Sequence, residues 1–424
     1  MQTQSGLKQA LKGEITIPSD KSISHRAVMF ASLAKGTSVI ENFSHGADCM
    51  STLGVCKNLG INAEFKDEKT LIINSNGEFI PPNGDLYCGN SGTTMRLMSG
   101  ILAGQSFNSI LTGDESLSKR PMKRVIEPLS LMGAEILSNE GKSPLKIHGK
   151  NLQGIDYDSK LASAQVKSCV LLAGLHAQGK TSFTEPYVSR NHTERMLEFL
   201  GAKILCENSK TTIEKSEFMP KTIKVAGDIS SAAFFIVAGL IVPDSGIILK
   251  NVGLNPTRTG ILDVVQKMGA DIEILDKKLV SNEEVGDIRV KCSQLKACTI
   301  EGEIIPRLID ELPVIAVLAT QAEGTTIIKD AEDLRNKESD RIKAIVTELK
   351  KLGANIEETP DGFIVHGQTK LKGGVEVETY HDHRLAMSLY VAGMVCQIPI
   401  LINGFEWVNI SFPEFESLVD KLMS

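Results

Sequence analysis

The residues of this sequence that could do chemistry collect at the starts of apolar helical segments. Lys21, Ser22 and Arg26 stand directly before the apolar run at 28–34, which Gly36 ends. Ser22 and Arg26 are four residues apart and therefore share one face of a helix. Free backbone N–H groups and the positive end of a helix favour an anion there, and Lys21 adds positive charge. The pattern predicts a phosphate or carboxylate site, with an ordinary capped helix start as the alternative.

Polar residues precede five further apolar segments in the same way. They are Asn90, Ser91, Thr94 and Arg96; Ser163, Gln165 and Lys167; Asp228, Ser230 and Ser231; Asp310 and Glu311; and His381, Asp382, His383 and Arg384. Helix capping accounts for the Ser, Thr, Asn and Asp residues, but the helix dipole disfavours Lys and Arg at a helix start. If the segments fold alike, their positive ends converge and predict a site for a multiply charged anion.

Residues 333–341 form a second kind of candidate site, because acidic and basic side chains are interleaved there. If a helix has begun by Lys337, then Lys337 and Arg341 lie on one face of it. The adjacent pair Lys337 and Glu338 suits general acid–base catalysis, since each charge shifts the pKa of the other group. A solvated run of charges is the alternative. Residues 111–122 are expected to form another charged loop.

Composition limits the class of protein. The 424 residues carry a net charge of −6 and are 5% aromatic, which argues against nucleic-acid binding. The eight cysteines lack C-x-x-C spacing, so they predict buried free thiols in a reducing compartment and no zinc site. No apolar stretch is long enough to span a membrane, and the first residues lack the features of a secretion signal. We expect a soluble, cytoplasmic protein.

The six apolar segments belong to an internal repeat. Their predicted helices begin at His25, Thr94, Val166, Ala232, Leu312 and Arg384, at intervals of 66 to 80 residues. An amphipathic helix follows in five of the units and ends in Leu or Met and then a glycine, which suits the positive φ of a helix end. These glycines are Gly60, Gly133, Gly201, Gly269 and Gly353.

A helix that is apolar all round must be buried, and this requirement predicts the architecture. We predict an α/β (α+β) fold of two lobes, each with three repeated units in which buried parallel helices are surrounded by sheets and outer helices. The first lobe is expected at residues 20–227, and the second at 1–19 plus 228–424. The strand at 13–17 is expected to complete the second lobe.

Five motifs in this sequence resemble the 3-phosphoshikimate 1-carboxyvinyltransferase (5-enolpyruvylshikimate-3-phosphate synthase) family. They are PSDKSISHRA at 18–27, GNSGTTMR at 89–96, LTGD with KRP between 111 and 121, NKESDR at 336–341 and DHRLAM at 382–387. The resemblance implies a two-lobed enolpyruvyl-transferase fold that closes on shikimate 3-phosphate and phosphoenolpyruvate. It implies transfer of the enolpyruvyl group to the 5-hydroxyl by addition–elimination, with no metal or organic cofactor and as a monomer.

The resemblance also implies roles for residues at matching positions. Contacts to shikimate 3-phosphate, mainly in the first lobe, are implied for Lys21, Ser22, Arg26, Ser163, Ala164, Gln165, Arg190, Asp310 and Lys337. Contacts to phosphoenolpyruvate are implied for Lys21, Gly92, Arg120, Gln165, Arg341 and Arg384. The implied catalytic residues are Asp310, the base near the attacking hydroxyl; Glu338, the acid; Lys337, which assists; and Lys21.

The sequence departs from the family at one position, and two alternative functions stay open. Ile410 precedes Ser411 where the family has a lysine, so one phosphoenolpyruvate contact is missing. UDP-N-acetylglucosamine 1-carboxyvinyltransferase shares the implied fold, but that family carries a cysteine in the loop matching 114–121, and this loop has none. A non-catalytic anion-binding protein would need neither Asp310 nor the pair at 337–338.

Overall fold

The computed structural model describes residues 2–6 and 9–423. The α-helices of this part of the chain are α1 (Lys21–Leu33), α2 (Ala47–Asn58), α3 (Gly92–Ala103), α4 (Glu115–Lys119), α5 (Lys123–Leu131), α6 (Ala164–Gly174), α7 (His192–Phe199), α8 (Ile229–Ile241), α9 (Gly260–Lys267), α10 (Ile305–Leu308), α11 (Leu312–Gln321), α12 (Arg341–Lys351), α13 (His383–Gly393) and α14 (Phe415–Met423). Short 3₁₀-helices lie at Gly302–Ile304, Glu332–Asn336 and Phe405–Ile410.

The β-strands alternate with these helices. They are β1 (Gln2–Ser5), β2 (Lys12–Thr16), β3 (Gly36–Glu41), β4 (Asn62–Phe65), β5 (Thr70–Ser75), β6 (Leu86–Tyr87), β7 (Asn108–Thr112), β8 (Glu135–Asn139), β9 (Lys142–His148), β10 (Asp156–Asp158), β11 (Thr181–Thr184), β12 (Ile204–Glu207), β13 (Lys210–Ile213), β14 (Thr222–Lys224), β15 (Gly246–Gly253), β16 (Asp271–Val280), β17 (Glu283–Lys291), β18 (Thr299–Ile300), β19 (Gly324–Ile328), β20 (Asn355–Thr359), β21 (Gly362–Gly367), β22 (Glu376–Glu378) and β23 (Ile400–Asn403). The α/β class is confirmed.

The chain divides into two compact units. The N-terminal unit contains Ser19–Ala226 and the short segment Leu279–Glu283. The C-terminal unit contains the described residues of Met1–Pro18, together with Gly227–Lys278 and Glu284–Ser424. The segment Leu279–Glu283 is the tip of the β16–β17 hairpin, and the repeat pattern does not predict its place in the N-terminal unit.

The repeat is visible in the sheets. The N-terminal unit contains the sheets β14-β3-β5-β4, β6-β7-β9-β8 and β10-β11-β13-β12. The C-terminal unit contains β16-β17-β15-β2, β18-β19-β21-β20 and β1-β23-β22. In every one of these sheets, one edge strand runs parallel to its neighbour. The N-terminal strand β2 is such an edge strand, because it pairs with β15 and so completes a sheet of the C-terminal unit.

One buried helix of each repeat carries the polar residues identified in the sequence. These helices are α1, α3 and α6 in the N-terminal unit and α8, α11 and α13 in the C-terminal unit. All residues of α8 and α13 are buried. Five of the six helices begin one to four residues earlier than predicted. The predicted starts were too late because the polar residues form the first turn, after a capping Asp or Ser such as Asp20 or Ser91.

Glycine ends the amphipathic helices as the sequence indicates. Each of these helices is followed by a glycine with φ between +89° and +93°, a range that residues with a Cβ rarely adopt. The glycines are Gly60, Gly133, Gly201, Gly269 and Gly353. The predicted apolar face of α12 is confirmed, since Ile342, Ile345, Val346, Leu349 and Leu352 are all buried.

Two expectations about composition can be compared with the structure. Five cysteines are buried, but Cys206 and Cys292 are exposed and Cys298 is half-buried, so the prediction that all the thiols are buried was wrong. Cys206 lies on β12, and Cys292 and Cys298 lie in the connection between β17 and β18; the spacing of cysteines does not determine exposure at such positions. Within residues 2–6 and 9–423, no helix is long and apolar enough to cross a membrane.

Candidate active site

Lys21 and Arg26 lie on the first two turns of α1 and differ in their partners. The Lys21 ammonium is 3.0 Å from a carboxylate oxygen of Asp48. Arg26 is 3% exposed and donates from Nε to the Thr193 hydroxyl at 2.7 Å and from Nη2 to the Ser168 hydroxyl at 2.9 Å. Its Nη1 donates to the backbone oxygen of Ser22 at 3.0 Å. Hydroxyl groups from α6 and α7 therefore fix this guanidinium at the start of α1.

The starts of α3 and α6 are joined by side-chain hydrogen bonds. Arg96 Nη1 donates to Gln165 Oε1 at 2.5 Å, and Gln165 Nε2 donates to the Thr93 hydroxyl at 3.0 Å. Gly92 is the first residue of α3, and a Cβ at that position would lie 2.9 Å from Arg96 Nη1. Glycine thus allows a guanidinium to lie against the first turn of this helix.

Arg120 belongs to a third group beside the start of α3. Its Nη2 donates to Asn90 Oδ1 at 2.6 Å, and Asn90 donates to Asp114 Oδ2 at 2.8 Å. Asp114 also caps the short helix α4 by accepting a hydrogen bond from the Leu117 amide. The prediction of a loop over 111–122 was therefore wrong in part, since a capped turn of helix positions Arg120 as its C-terminal residue.

A buried lysine lies one turn into α6, behind Ser163, Ala164 and Gln165. The Lys167 ammonium is 2.7 Å from carboxylate oxygens of both Glu185 and Glu194. Burial acts to lower the pKa of Lys167, but the charges of the two glutamates outweigh it, so the pKa is raised. Glu185 Oε1 also accepts a hydrogen bond from the Ser189 amide at 2.9 Å. This cluster holds the segment that carries Arg190, which is half-buried.

His25 links α1 to α2 and α3 of the same unit through two threonine hydroxyls. Its Nδ1 lies 2.6 Å from the Thr52 hydroxyl, which in turn lies 2.6 Å from the Thr94 hydroxyl. Burial, followed by the charges of Lys21 and Arg26, lowers the pKa of His25 well below its ordinary value. A neutral His25 can take part in this hydrogen-bond chain without adding charge beside the two cations.

Arg341 is the centre of the charged group in the C-terminal unit. Its side chain is 1% exposed, and its nitrogens lie 3.1 Å from Asp310 Oδ1, 2.5 Å from Glu338 Oε2 and 2.8 Å from Asp382 Oδ2. Burial acts to lower the pKa of Arg341, but Asp382, Glu338 and Asp310 outweigh this effect and raise it. The guanidinium thus stays charged and holds both candidate acid–base carboxylates.

Lys337 does not share a helical face with Arg341. A 3₁₀-helix ends at Asn336, and α12 begins only at Arg341 after its capping residue Asp340. The condition that a helix has begun by Lys337 is not met, because Asp340 accepts a hydrogen bond from the Lys343 amide and so starts a new helix. Lys337 instead lies 2.8 Å from Asp333 Oδ2.

The starts of α8, α11 and α13 also meet through side chains. Arg384 Nη1 donates to the backbone oxygen of Asp310 at 3.4 Å and is 3.9 Å from Glu311 Oε1. Ser230 donates to Glu311, and Arg258 Nη2 donates to Ser230 Oγ at 2.7 Å. As in the N-terminal unit, side chains at the starts of the buried helices form one connected network.

A cavity of about 650 Å³ opens in the C-terminal unit beside Glu338. Its lining includes Ser339, Tyr380 and the imidazole of His381, which stacks on Trp407 at 4.7 Å between ring centres. Ile410, where the family has a lysine, ends the 3₁₀-helix that carries Trp407.

Each unit brings its own share of the predicted site residues together, and several partners were missed. Asp382 is the most important of these, because it binds Arg341, accepts a hydrogen bond from Ser339 at 3.0 Å and caps α13. Its place before His383 and Arg384 signalled a cap, but nothing in the spacing signalled a partner for Arg341. In the described part of the chain, no cluster of three His, Cys, Asp or Glu side chains could hold a metal ion.

Comparison with known proteins supports the resemblance that the five motifs indicate. A family model described as EPSP synthase (3-phosphoshikimate 1-carboxyvinyltransferase) matches residues 7–419. Proteins named 3-phosphoshikimate 1-carboxyvinyltransferase are 51% identical in Bacillus licheniformis and 52% identical in Bacillus subtilis. Both matches cover 98% of this chain and 98% of the relative.

Solved structures agree with this result. An EPSP synthase from Acinetobacter baumannii has a TM-score of 0.89 and 42% identity, over 99% of this chain and 98% of that one. The enolpyruvyl transferase NikO from Streptomyces tendae has a TM-score of 0.80 over 99% of this chain and 96% of its own. Because NikO is only 16% identical, that likeness concerns the fold alone.

Proposed function

Since the chain belongs to the EPSP synthase (3-phosphoshikimate 1-carboxyvinyltransferase) family, we propose how its own residues carry out the reaction of that family. The reaction transfers the enolpyruvyl group of phosphoenolpyruvate to the 5-hydroxyl of shikimate 3-phosphate and releases phosphate. The comparisons support this activity and not that of UDP-N-acetylglucosamine 1-carboxyvinyltransferase.

In the N-terminal unit, the proposal assigns the helix starts mainly to shikimate 3-phosphate. Ser22, Arg26, Ser163, Ala164, Gln165 and Arg190 are the proposed contacts. The hydroxyl partners of Arg26 support this assignment, because they fix its guanidinium at the start of α1, where a helix favours an anion. Lys21 is a proposed contact of both substrates.

Phosphoenolpyruvate is also an anion, and its proposed contacts come from both units. They are Lys21, Gly92, Arg120 and Gln165 in the N-terminal unit and Arg341 and Arg384 in the C-terminal unit. Arginine suits this role because its planar donors match carboxylate and phosphate oxygens. To bind Arg341, the substrate must displace one of the carboxylates that contact its guanidinium, or share the guanidinium with them.

The acid–base roles fall to residues around Arg341. We assign Asp310 to accept the proton of the attacking 5-hydroxyl and Glu338, assisted by Lys337, to donate a proton to C3 of phosphoenolpyruvate. Addition of the hydroxyl oxygen to C2 then gives a tetrahedral intermediate. The Glu338 carboxylate takes a C3 proton back as phosphate leaves with the proton held by Asp310, which restores the enol double bond. The observation that carries this proposal is the contact of both carboxylates with one buried arginine.

Substrate dependence and two substitutions test the proposal. Purified protein with phosphoenolpyruvate should release phosphate only when shikimate 3-phosphate is added. Asp310→Ala or Glu338→Ala should lower kcat about 100-fold or more while the dissociation constant of shikimate 3-phosphate changes little. Turnover with UDP-N-acetylglucosamine would contradict the assigned substrate, and unchanged kcat in both variants would remove the acid–base roles.

We further propose that the protein acts as a monomer in the cytoplasm. The expectation of a monomer comes by analogy with the family to which the chain belongs. Light scattering of the purified protein at assay concentration should give the mass of one 46.0 kDa chain. A stable dimer at that concentration would contradict this part of the proposal.

A further inference from the structure

Arg335 lies just before the acid–base segment and joins three parts of the C-terminal unit. Its Nε donates to the backbone oxygen of Pro360 at 2.8 Å, and its Nη2 donates to that of Thr359 at 2.7 Å. Its Nη1 lies 2.9 Å from oxygens of both Asp340 and Glu358. All three guanidinium nitrogens are thus used, and they join residues 358–360 to Asp340.

The ion pair of Arg335 joins the two ends of the segment that carries Lys337 and Glu338. Arg335 belongs to the 3₁₀-helix Glu332–Asn336, and Asp340 caps α12, so the ion pair between them brackets residues 336–339. Lys337 and Glu338 lie inside this bracket. Residues 337–339 lie outside any helix. Side chains within this stretch contact Asp333, Arg341 and Asp382, and the ion pair adds a link between its two ends.

The turn between β20 and β21, which Arg335 contacts, also binds the chain just before the 3₁₀-helix. Thr359 ends β20, and Pro360 and Asp361 form the turn to β21. Asp361 accepts hydrogen bonds from the amides of Asp330 and Ala331. The β20–β21 hairpin therefore holds the chain just before the 3₁₀-helix as well as Arg335 itself. The acid–base segment is tied to a sheet through this turn.

The chemistry of the contact favours arginine. Two backbone oxygens and two carboxylates lie around one side chain, and a planar guanidinium can reach all of them while a lysine ammonium cannot. Burial acts to lower the pKa of Arg335, but hydrogen bonds with Glu358 and Asp340 outweigh it and raise the pKa. A network of this kind differs from an isolated surface ion pair, which contributes little.

We propose that Arg335 is a positioning residue for the acid–base step: it fixes residues 336–339 between the β20–β21 turn and the start of α12, so that Lys337 and Glu338 keep their reactive geometry. This inference rests on the roles proposed above for Lys337 and Glu338. Small displacements of a catalytic group are costly, because the reacting atoms must stay in near-attack geometry.

Arg335→Lys tests the proposal, with Arg289→Lys as the matched control. Arg289 also binds a carboxylate, Glu273, at 2.5 Å, but on the outer β16–β17 hairpin. We expect Arg335→Lys to lower kcat about 10- to 100-fold, with a smaller rise in KM for either substrate. Arg289→Lys should stay within about twofold of the parent. A kcat of Arg335→Lys within that range, per mole of folded protein, would overturn the proposal.

Asp340→Asn provides a second variant if Arg335→Lys folds poorly. Asparagine still caps α12, so the helix start is kept while the ion pair to Arg335 is lost. Asp340→Asn should also lower kcat, and combining it with Arg335→Lys should cost less than the product of the two single effects. Fully multiplicative effects would mean that the two side chains act separately.

Hydrogen exchange separates this proposal from the proposed function. The backbone amides of 336–340 should exchange faster in Arg335→Lys than in the parent or in Arg289→Lys, whether or not the protein turns over substrate. Unchanged exchange would refute the positioning role even in an active enzyme. An inactive parent whose exchange responds as expected would instead contradict the proposed function alone.

Discussion

At the scale of single residues, Lys167 shows how the protein keeps charge inside the N-terminal unit. Lys167, Glu185 and Glu194 are each at most 5% exposed in their side chains. One ammonium faces two carboxylates, and within the described structure Oε2 of both glutamates is buried without a hydrogen-bond partner. The cluster is therefore sensitive to the loss of its one cation.

Lys167→Met should destabilise the protein by about 3–5 kcal/mol, because it leaves two buried carboxylates without a counter-ion. Urea denaturation of the parent and of the variant measures this loss.

Lys180→Met is the matched control. Lys180 lies 3.0 Å from Glu214, but its side chain is 72% exposed. Its removal should change the free energy of unfolding by less than about 1 kcal/mol. Equal losses in the two variants would show that burial does not govern the Lys167 cluster.

At the scale of elements, α3 and α6, which both carry proposed substrate contacts, cross with their backbones in direct contact. A Cβ added to Gly100 would lie 2.1 Å from the backbone oxygen of Cys169. The same two helices are bridged at their starts by Arg96 and Gln165. The distance between the helix axes and the arrangement of the site are therefore linked through one glycine.

Gly100→Ala should force these helices apart, which we expect to cost about 2–4 kcal/mol of stability. It should also raise KM for phosphoenolpyruvate, because Gln165 is a proposed contact of that substrate. Gly269→Ala is the control, since φ there is +89° and the nearest atom to an added Cβ is 3.9 Å away. Gly269→Ala should lower the free energy of unfolding by about 1–2 kcal/mol and leave KM for phosphoenolpyruvate unchanged. A rise in this KM in both variants would mean that the contact between α3 and α6 is not its cause.

At the scale of the whole molecule, the proposed substrate contacts are divided between the units. The chain passes from one unit to the other between Pro18 and Ser19 and again between Ala226 and Gly227. The helix starts of the N-terminal unit hold most of the proposed contacts to shikimate 3-phosphate. The acid–base group around Arg341 belongs to the C-terminal unit.

Hydrogen exchange with shikimate 3-phosphate alone tests this division. We expect slower exchange mainly in the N-terminal unit, at the starts of α1 and α6 and around Arg190, because bound phosphate orders the groups that hold it. Shikimate without its phosphate is the control and should protect these segments less. Protection confined to the C-terminal unit would contradict the assignment of mainly shikimate 3-phosphate contacts to the N-terminal unit.

Much of the local structure could be predicted because it depends on residues within one or two turns. The apolar helices, the capping residues before them and the glycines after the amphipathic helices follow from such short-range rules. Similar units at regular intervals then predicted the repeat. The motifs themselves carried the resemblance that pointed to the family.

The pairings of side chains distant in sequence could not be predicted in the same way. Asp382 binds Arg341 across 41 positions, and the hairpin tip at 279–283 joins the N-terminal unit. The break before α12, which separates Lys337 from the helical face of Arg341, also depends on how Arg335 and Asp340 are held. The sequence by itself determined that buried helices follow at regular intervals and that polar residues stand at their starts. Only the tertiary structure decided which of them meet, because packing brings together segments whose separation in sequence has no fixed relation to distance.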